Sequence, residues 1–289
     1  MPLAVLPALL PFVFALLWAS SYVAAKIGLN DATPFALVAA RLSMAAVAAA
    51  VLLRIMGRTM GRTWPRAASW PALLLGGALL HGFGLSMTHA ALVAVDATPT
   101  ALVHAFHPIL TAALGVALLG ERFAWWQWLG VGLGFAGVLL GVPLTLGTGN
   151  LALLGLSLVG LVAGTLVLKR FAADVPAFES TVVQLAGGAL AVLLLMLVFE
   201  TPHWRWTWNF AAALAWNTLA MSIFGMVIYS LMLERYGAGR ASSGFFIVPG
   251  ASAIMALALL GEHLTPWAIA GLAASTAGVA LVWWKPKPV

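Results

Sequence analysis

The sequence predicts an all-α membrane protein of ten transmembrane helices, arranged as two inverted five-helix repeats. Three observations lead there: an almost uniformly apolar composition, ten hydrophobic runs separated by short gaps, and a segment that recurs 141 residues downstream.

Composition sets the solvent. The chain has 289 residues, 63% hydrophobic and 8% charged, with mean hydropathy +1.05. A soluble domain is about a quarter charged, so this much apolar surface requires a bilayer. There are no cysteines, which excludes disulfides, thiol nucleophiles and thiolate metal sites. The net charge of +6 does not point to nucleic acid. The basic residues lie in short loops between apolar runs, where they act as topology signals. The opening "MPLAVLPALLPFVFALLWAS" lacks the positive leader of a signal peptide and is expected to be the first span.

About 20 mostly apolar residues cross the hydrocarbon. The ten runs are 6–28, 34–56, 70–94, 99–119, 124–141, 151–171, 177–199, 210–233, 241–260 and 265–284. The gaps carry turn and helix-start signals such as "LNDATP", "VDATPT", "ADVP" and "LTP", with Pro near the first helical turn, where its missing N–H costs nothing.

Ten spans put both termini on one side. Loops on that side hold Arg54, Arg58, Arg62, Arg66, Arg122, Lys169, Arg170, Arg235, Arg240, Lys285 and Lys287; the other side holds Lys26 and Arg205. Arg41 lies within a span. Eleven against two places both termini in the cytoplasm and the chain in the inner membrane. Most tryptophans fall at span ends, as headgroup-level rings do; Trp18 and Trp216 lie deeper.

Residues 117–140, "ALLGERFAWWQWLGVGLGFAGVLL", match 258–281, "ALLGEHLTPWAIAGLAASTAGVAL". Gly120/Gly261, Glu121/Glu262, Trp126/Trp267, Gly130/Gly271 and Gly137/Gly278 are identical, and Pro108 and Pro249 share the offset. The repeats are expected at 1–144 and 145–289. Five spans is an odd number, so the halves enter the membrane from opposite sides, with Glu121 cytoplasmic and Glu262 periplasmic. Inverted repeats mark many secondary transporters, which bind substrate near the midplane.

"LLWASSYVAAKIGL" (16–29), "TPFALVAARLSMAAVA" (33–48) and the two "ALLGE" segments, each followed by a Gly-rich helix, resemble the EamA family of the drug/metabolite transporter superfamily. Within it, the chain is most similar to the YddG-type exporters of aromatic and other neutral amino acids. The resemblance implies ten helices around a central cavity and alternating access. The second half departs from the pattern: Arg41 has Gln184 or Val183 as its counterpart, and "GLVAGTLVLKRF" lacks the Trp of the first half.

Candidate substrate-binding residues follow from polar faces on apolar helices. Thr100, His104, His107 and Thr111 are spaced +4, +3 and +4, so they share a helix face. Such a stripe must face protein or a wet cavity, and Pro108 removes a backbone hydrogen bond beside it. Either this helix lines the cavity or its imidazoles tie neighbouring helices together. His81 lies mid-span with Gly82 and Gly84 beside it. Trp18, Ser21, Tyr22 and Lys26 share the first span; Lys26 either attracts a carboxylate or snorkels. In the second half, Thr218, Ser222, Gly225 and Tyr229 share one face with Asn217 adjacent, and Ser243 and Phe246 extend a more apolar wall up to the kink at Pro249. The offset pairs Ser222 with His81. Arg41, the one deep cation, either binds substrate or pairs between helices. The glycines of "GVGLGFAG" (130–137) serve close helix packing, or a homodimer; otherwise the chain is a monomer.

The predicted function is export of neutral or aromatic amino acids, or similar small amphiphiles, by a secondary transporter. There is no Walker motif, no cofactor is implied, and no third His or carboxylate completes a metal site. Facilitated diffusion and His-based proton antiport both fit. A drug or purine exporter of the same superfamily is the nearest alternative. An intramembrane His-dependent enzyme is the distant one, because no paired Ser/Lys or HExxH is present, so the chain is not expected to be an enzyme.

Overall fold

The computed structural model describes residues 5–119, 124–141, 147–225, 227–228 and 248–284. Among them every regular element is helical, and the one extended pairing is an antiparallel bridge between Ala32 and Trp204. The helices are α1 (Val5–Gly28), α2 (Pro34–Met60), α3 (Trp70–Gly77), α4 (Leu85–Leu92), α5 (Ala97–Leu119), α6 (Trp125–Gly141), α7 (Thr148–Phe171), α8 (Ala177–Phe199), α9 (Trp208–Ala215), α10 (Val248–Leu260) and α11 (Pro266–Trp283). Two π-helical segments interrupt this pattern: π1 (Ala78–Gly84) joins α3 to α4, and π2 (Trp216–Gly225) continues α9. Five of the described helices are long and apolar enough to cross a membrane, the interrupted Ala67–Leu92 among them.

Local chemistry sets the helix ends. Pro34 and Pro266 open α2 and α11. The Thr207 and Thr265 hydroxyls cap α9 and α11 by accepting from the amides of Phe210 and Ala268, each at 3.1 Å. Gly61 ends α2 in the left-handed region, φ 68°, which a side chain resists and glycine does not.

The chain packs as two compact units. The first comprises Met1–Val23, Asp96–Leu146 and Arg235–Val289. Its closest helix pair is α6 with α11, whose sequences are repeat mates. A Cβ on Gly137 would lie 2.5 Å from the Ser275 amide, and one on Gly278 2.5 Å from the Gly134 amide. Only glycine allows backbones this close, so α11 of the same chain fills the glycine face of α6. Leu102, Ala253 and Leu272 form a small buried cluster beside it.

The second unit comprises Ala24–Val95 and Gly147–Glu234. Here α2 packs on α8, its own repeat mate, over a core of Val38, Leu42, Leu53, Leu185 and Val192. α3 and π1 press against α8 through glycines: a Cβ on Gly77 would lie 2.0 Å from the Gln184 carbonyl oxygen, and one on Gly188 2.8 Å from the His81 Cβ.

Polar ties join helix ends within each unit. Glu200, after α8, accepts from the Phe35 and Ala36 amides at 2.9 and 2.8 Å and from the Thr33 hydroxyl at 2.7 Å. Glu262, after α10, accepts from the Ala97 and Thr98 amides at 2.7 and 3.1 Å. Each carboxylate thus satisfies the orphan donors at the N-terminus of another helix. Asp31 holds Arg205 at 2.8 Å and also accepts from the Thr207 hydroxyl. Arg62 meets both Glu179 oxygens at 3.0 Å.

Candidate substrate site

In the first unit, α1 and α5 bring together three residues singled out from the sequence. The Tyr22 hydroxyl and His104 Nδ1 are 2.9 Å apart, buried, with ring centroids at 5.7 Å. One turn earlier, the Trp18 indole N–H reaches the same hydroxyl at 3.4 Å. The pieces are local: Trp18 and Tyr22 are four residues apart on α1, so their side chains share a face, and His104 sits mid-way along α5. An indole N–H donates only. The indole thus donates to the Tyr22 oxygen, and the Tyr22 hydroxyl and His104 Nδ1 share a hydrogen bond whose donor depends on the imidazole tautomer. Around this cluster, the Ser21 hydroxyl turns back to the Trp18 carbonyl at 2.7 Å, and the Thr100 hydroxyl to that of Asp96 at 2.9 Å. Thr111 is buried with no hydrogen-bond partner for its hydroxyl among the described residues. His107, a turn beyond His104, is partly buried. α5 stays helical through Pro108, and Pro249 lies in the first turn of α10.

In the second unit, the chemistry gathers on the two π segments. The Arg41 Nε–H of α2 donates to the Ser222 hydroxyl of π2 at 3.1 Å, and Ser222 donates to the Asn217 carbonyl at 3.1 Å. That last bond spans five residues, the period of a π turn. Asn217 donates its amide to Ala213 at 3.2 Å, while its Oδ1, like the Thr218 hydroxyl, is buried and unmatched among the described residues. On π1, the His81 Cβ lies against Gly188 of α8. His81 Nε2 and His89 Nε2 are buried with no partner among the described residues; His89 Nδ1 lies 2.8 Å from the Leu85 carbonyl. Shifted by the 141-residue offset, π1 falls on 219–225, inside π2, and His81 falls on Ser222. Both repeats thus break the same helix, and the break at π2 meets a polar side chain from α2.

Of the expected residues, Trp18, Tyr22 and His104 form one cluster, and Asn217 and Ser222 another, joined by Arg41. Trp216 points outward, 46% exposed. Lys26 donates to the Val95 carbonyl at 2.9 Å, a contact inside the protein rather than a snorkel. Tyr229, Ser243 and Phe246 lie outside the described residues. Sequence reasoning missed the π segments and the partnership of Arg41 with Ser222.

The EamA-like transporter family matches residues 5–142 and again 148–284. The chain belongs to the EamA-like transporter family. An EamA chain of this kind is a multi-pass membrane transporter, and the double match assigns one family unit to each half. A protein of Streptantibioticus cattleyicolor named "Probable terminal-alkyne amino-acid exporter" is 28% identical over 275 residues, covering 92% of this chain and 89% of its own. The "Uncharacterized transporter YvbV" of Bacillus subtilis is 26% identical over 234 residues, covering 76% and 73%. A crystal structure with 18% identity superposes with a TM-score of 0.68 over 95% of both chains, which shows a shared fold alone.

Proposed function

We propose that this EamA transporter exports neutral or aromatic amino acids, or similar small amphiphilic metabolites, from the cytoplasm by alternating access, in the manner of the YddG-type exporters. The reading includes ten crossings, inverted five-helix repeats at 1–144 and 145–289, an inner-membrane location and cytoplasmic termini. The observation that carries it is the matched pair of π segments. Broken helices at equivalent places in two repeats are where secondary transporters bind cargo, and π turns accompany functional sites. Arg41 with Ser222 suits a carboxylate. The unmatched Asn217 Oδ1 suits an ammonium donor. Trp18, Tyr22 and His104, the aromatic and imidazole cluster of the first unit, stay in the proposal as residues for an apolar side chain on sequence grounds. So do His81, His107, Thr100 and Ser21, as members of polar helix faces. Tyr229, Ser243 and Phe246, and the hinges at Pro108 and Pro249, stay in the proposal on sequence grounds. The name of the Streptantibioticus cattleyicolor relative supports amino acids as the cargo class.

Proteoliposomes loaded with labelled phenylalanine should release it faster than empty-lipid controls, without ATP. Release of purines or cationic drugs, with none of any neutral amino acid tried, would overturn the cargo assignment.

A further inference from the structure

We infer that the cleft at the C-terminal end of α2 binds the phosphate of an anionic phospholipid, whose acyl chain lies along the outer face of that helix. Arg54 and Arg58 are four residues apart, so they stand over one another on one helix face. The left-handed turn at Gly61 then reverses the chain. Its return is close: a Cβ on Gly57 would lie 2.8 Å from the Arg62 carbonyl oxygen. The returning residues Arg62 and Trp64 face Arg54 and Arg58 across a cleft of about 330 Å³, with Leu53 at its base. This side of the cleft is built, not loose. Arg62 is pinned to Glu179 of α8 by two 3.0 Å contacts, and Trp64 packs on Trp70 with centroids 6.2 Å apart.

Glu179 offsets the charge of Arg62. Arg54 and Arg58 are exposed and have no carboxylate partner among the described residues. Two guanidinium forks beside an aromatic wall match phosphate oxygens, and tryptophan sits at headgroup depth in membranes.

The face below the cleft favours a lipid over a free phosphate. Met44, Val47, Val51 and Ile55 are 50%, 66%, 54% and 53% exposed. Their spacing of +3, +4 and +4 makes one stripe, which continues at Arg58 and is flanked by Arg54. In a membrane-spanning chain such a stripe is covered by acyl chains. A chain laid along it delivers its headgroup phosphate to the two arginines. Basic pockets at the ends of membrane helices bind acidic headgroups in this way.

Native mass spectrometry of the full-length protein in dodecyl maltoside, titrated with phosphatidylglycerol and with phosphatidylcholine, tests this. One phosphatidylglycerol should bind in preference to phosphatidylcholine. The R54Q/R58Q variant should weaken phosphatidylglycerol binding roughly 30-fold and leave phosphatidylcholine binding unchanged. An unaltered elution volume and phenylalanine efflux would confirm that this variant is folded. The V51N/I55N variant should also lose phosphatidylglycerol, since the stripe is half of the site. Equal phosphatidylglycerol binding by wild type and R54Q/R58Q would overturn the inference. So would displacement of the lipid by millimolar inorganic phosphate, which would make a free anion the ligand and the stripe irrelevant.

Discussion

Single side chains decide most at the two buried polar clusters. Tyr22 hydrogen-bonds both the Trp18 indole and His104 Nδ1. Tyr22→Phe keeps the ring and removes the hydroxyl, and with it the hydrogen bond to the buried His104 Nδ1. The expected cost is about 1–3 kcal/mol of stability, read as a lower Tm in detergent, with phenylalanine efflux falling further than the loss of folded protein explains. A ¹⁵N spectrum of labelled histidine should show the His104 Nδ1 resonance shifted in Tyr22→Phe; an unchanged resonance would mean that no hydrogen bond joins the two rings. Ser222 poses a different question. Its hydroxyl accepts from Arg41 and donates to the π turn. Ser222→Ala removes both bonds, and Ser222→Thr keeps the hydroxyl. Thr should retain most transport and Ala should raise the KM for phenylalanine several-fold. Equal KM values for the two variants would leave Arg41 and Ser222 as helix–helix glue.

Among helices, closeness is set by glycine rather than by apolar surface, because lipid offers helices no hydrophobic incentive to pair. Gly77→Ala places a methyl 2.0 Å from the Gln184 carbonyl oxygen and must push α3 away from α8. Overpacking of this kind costs about 1–3 kcal/mol. Gly155, in mid-α7, has nothing within 4 Å of its would-be Cβ, so Gly155→Ala should be neutral or stabilise by up to about 1 kcal/mol. Thermal unfolding of the two variants separates close packing from mere helix propensity. This scale also shows what the sequence could disclose. Small residues at four-residue spacing announced that α6 packs closely but not on which helix, and i, i+4 spacing announced the Trp18–Tyr22 face. The π segments were not readable, since a π turn differs from an α turn by one residue per hydrogen bond and keeps the same apolar composition. Nor could spacing within one helix reveal Arg41 against Ser222, 181 residues apart. That contact depends on which helices pack.

For the molecule as a whole, the ties at helix ends can be read against membrane sidedness. In a ten-crossing chain with cytoplasmic termini, Glu200 and the start of α2 fall on the periplasmic side, and so do Glu262 and the start of α5. Arg62 and Glu179 both fall on the cytoplasmic side, as do Trp126 and Trp284, whose rings lie 6.2 Å apart. A chain with one crossing more or fewer in the middle would set some of these partners on opposite faces of the bilayer, where no hydrogen bond could join them. Orientation is then open to a direct measurement, helped by the absence of cysteine from the sequence. Arg122→Cys and His263→Cys each follow the Glu of an "LLGE" motif. Inverted repeats require a membrane-impermeant maleimide added to intact spheroplasts to label residue 263 and spare residue 122, with the pattern reversed in inside-out vesicles. Thr63→Cys should behave like residue 122 and His203→Cys like residue 263. Labelling of 122 and 263 from the same side would mean that the two family units enter the membrane in the same direction. The repeat would then be parallel, and the inverted arrangement on which the alternating-access reading rests would be lost with it.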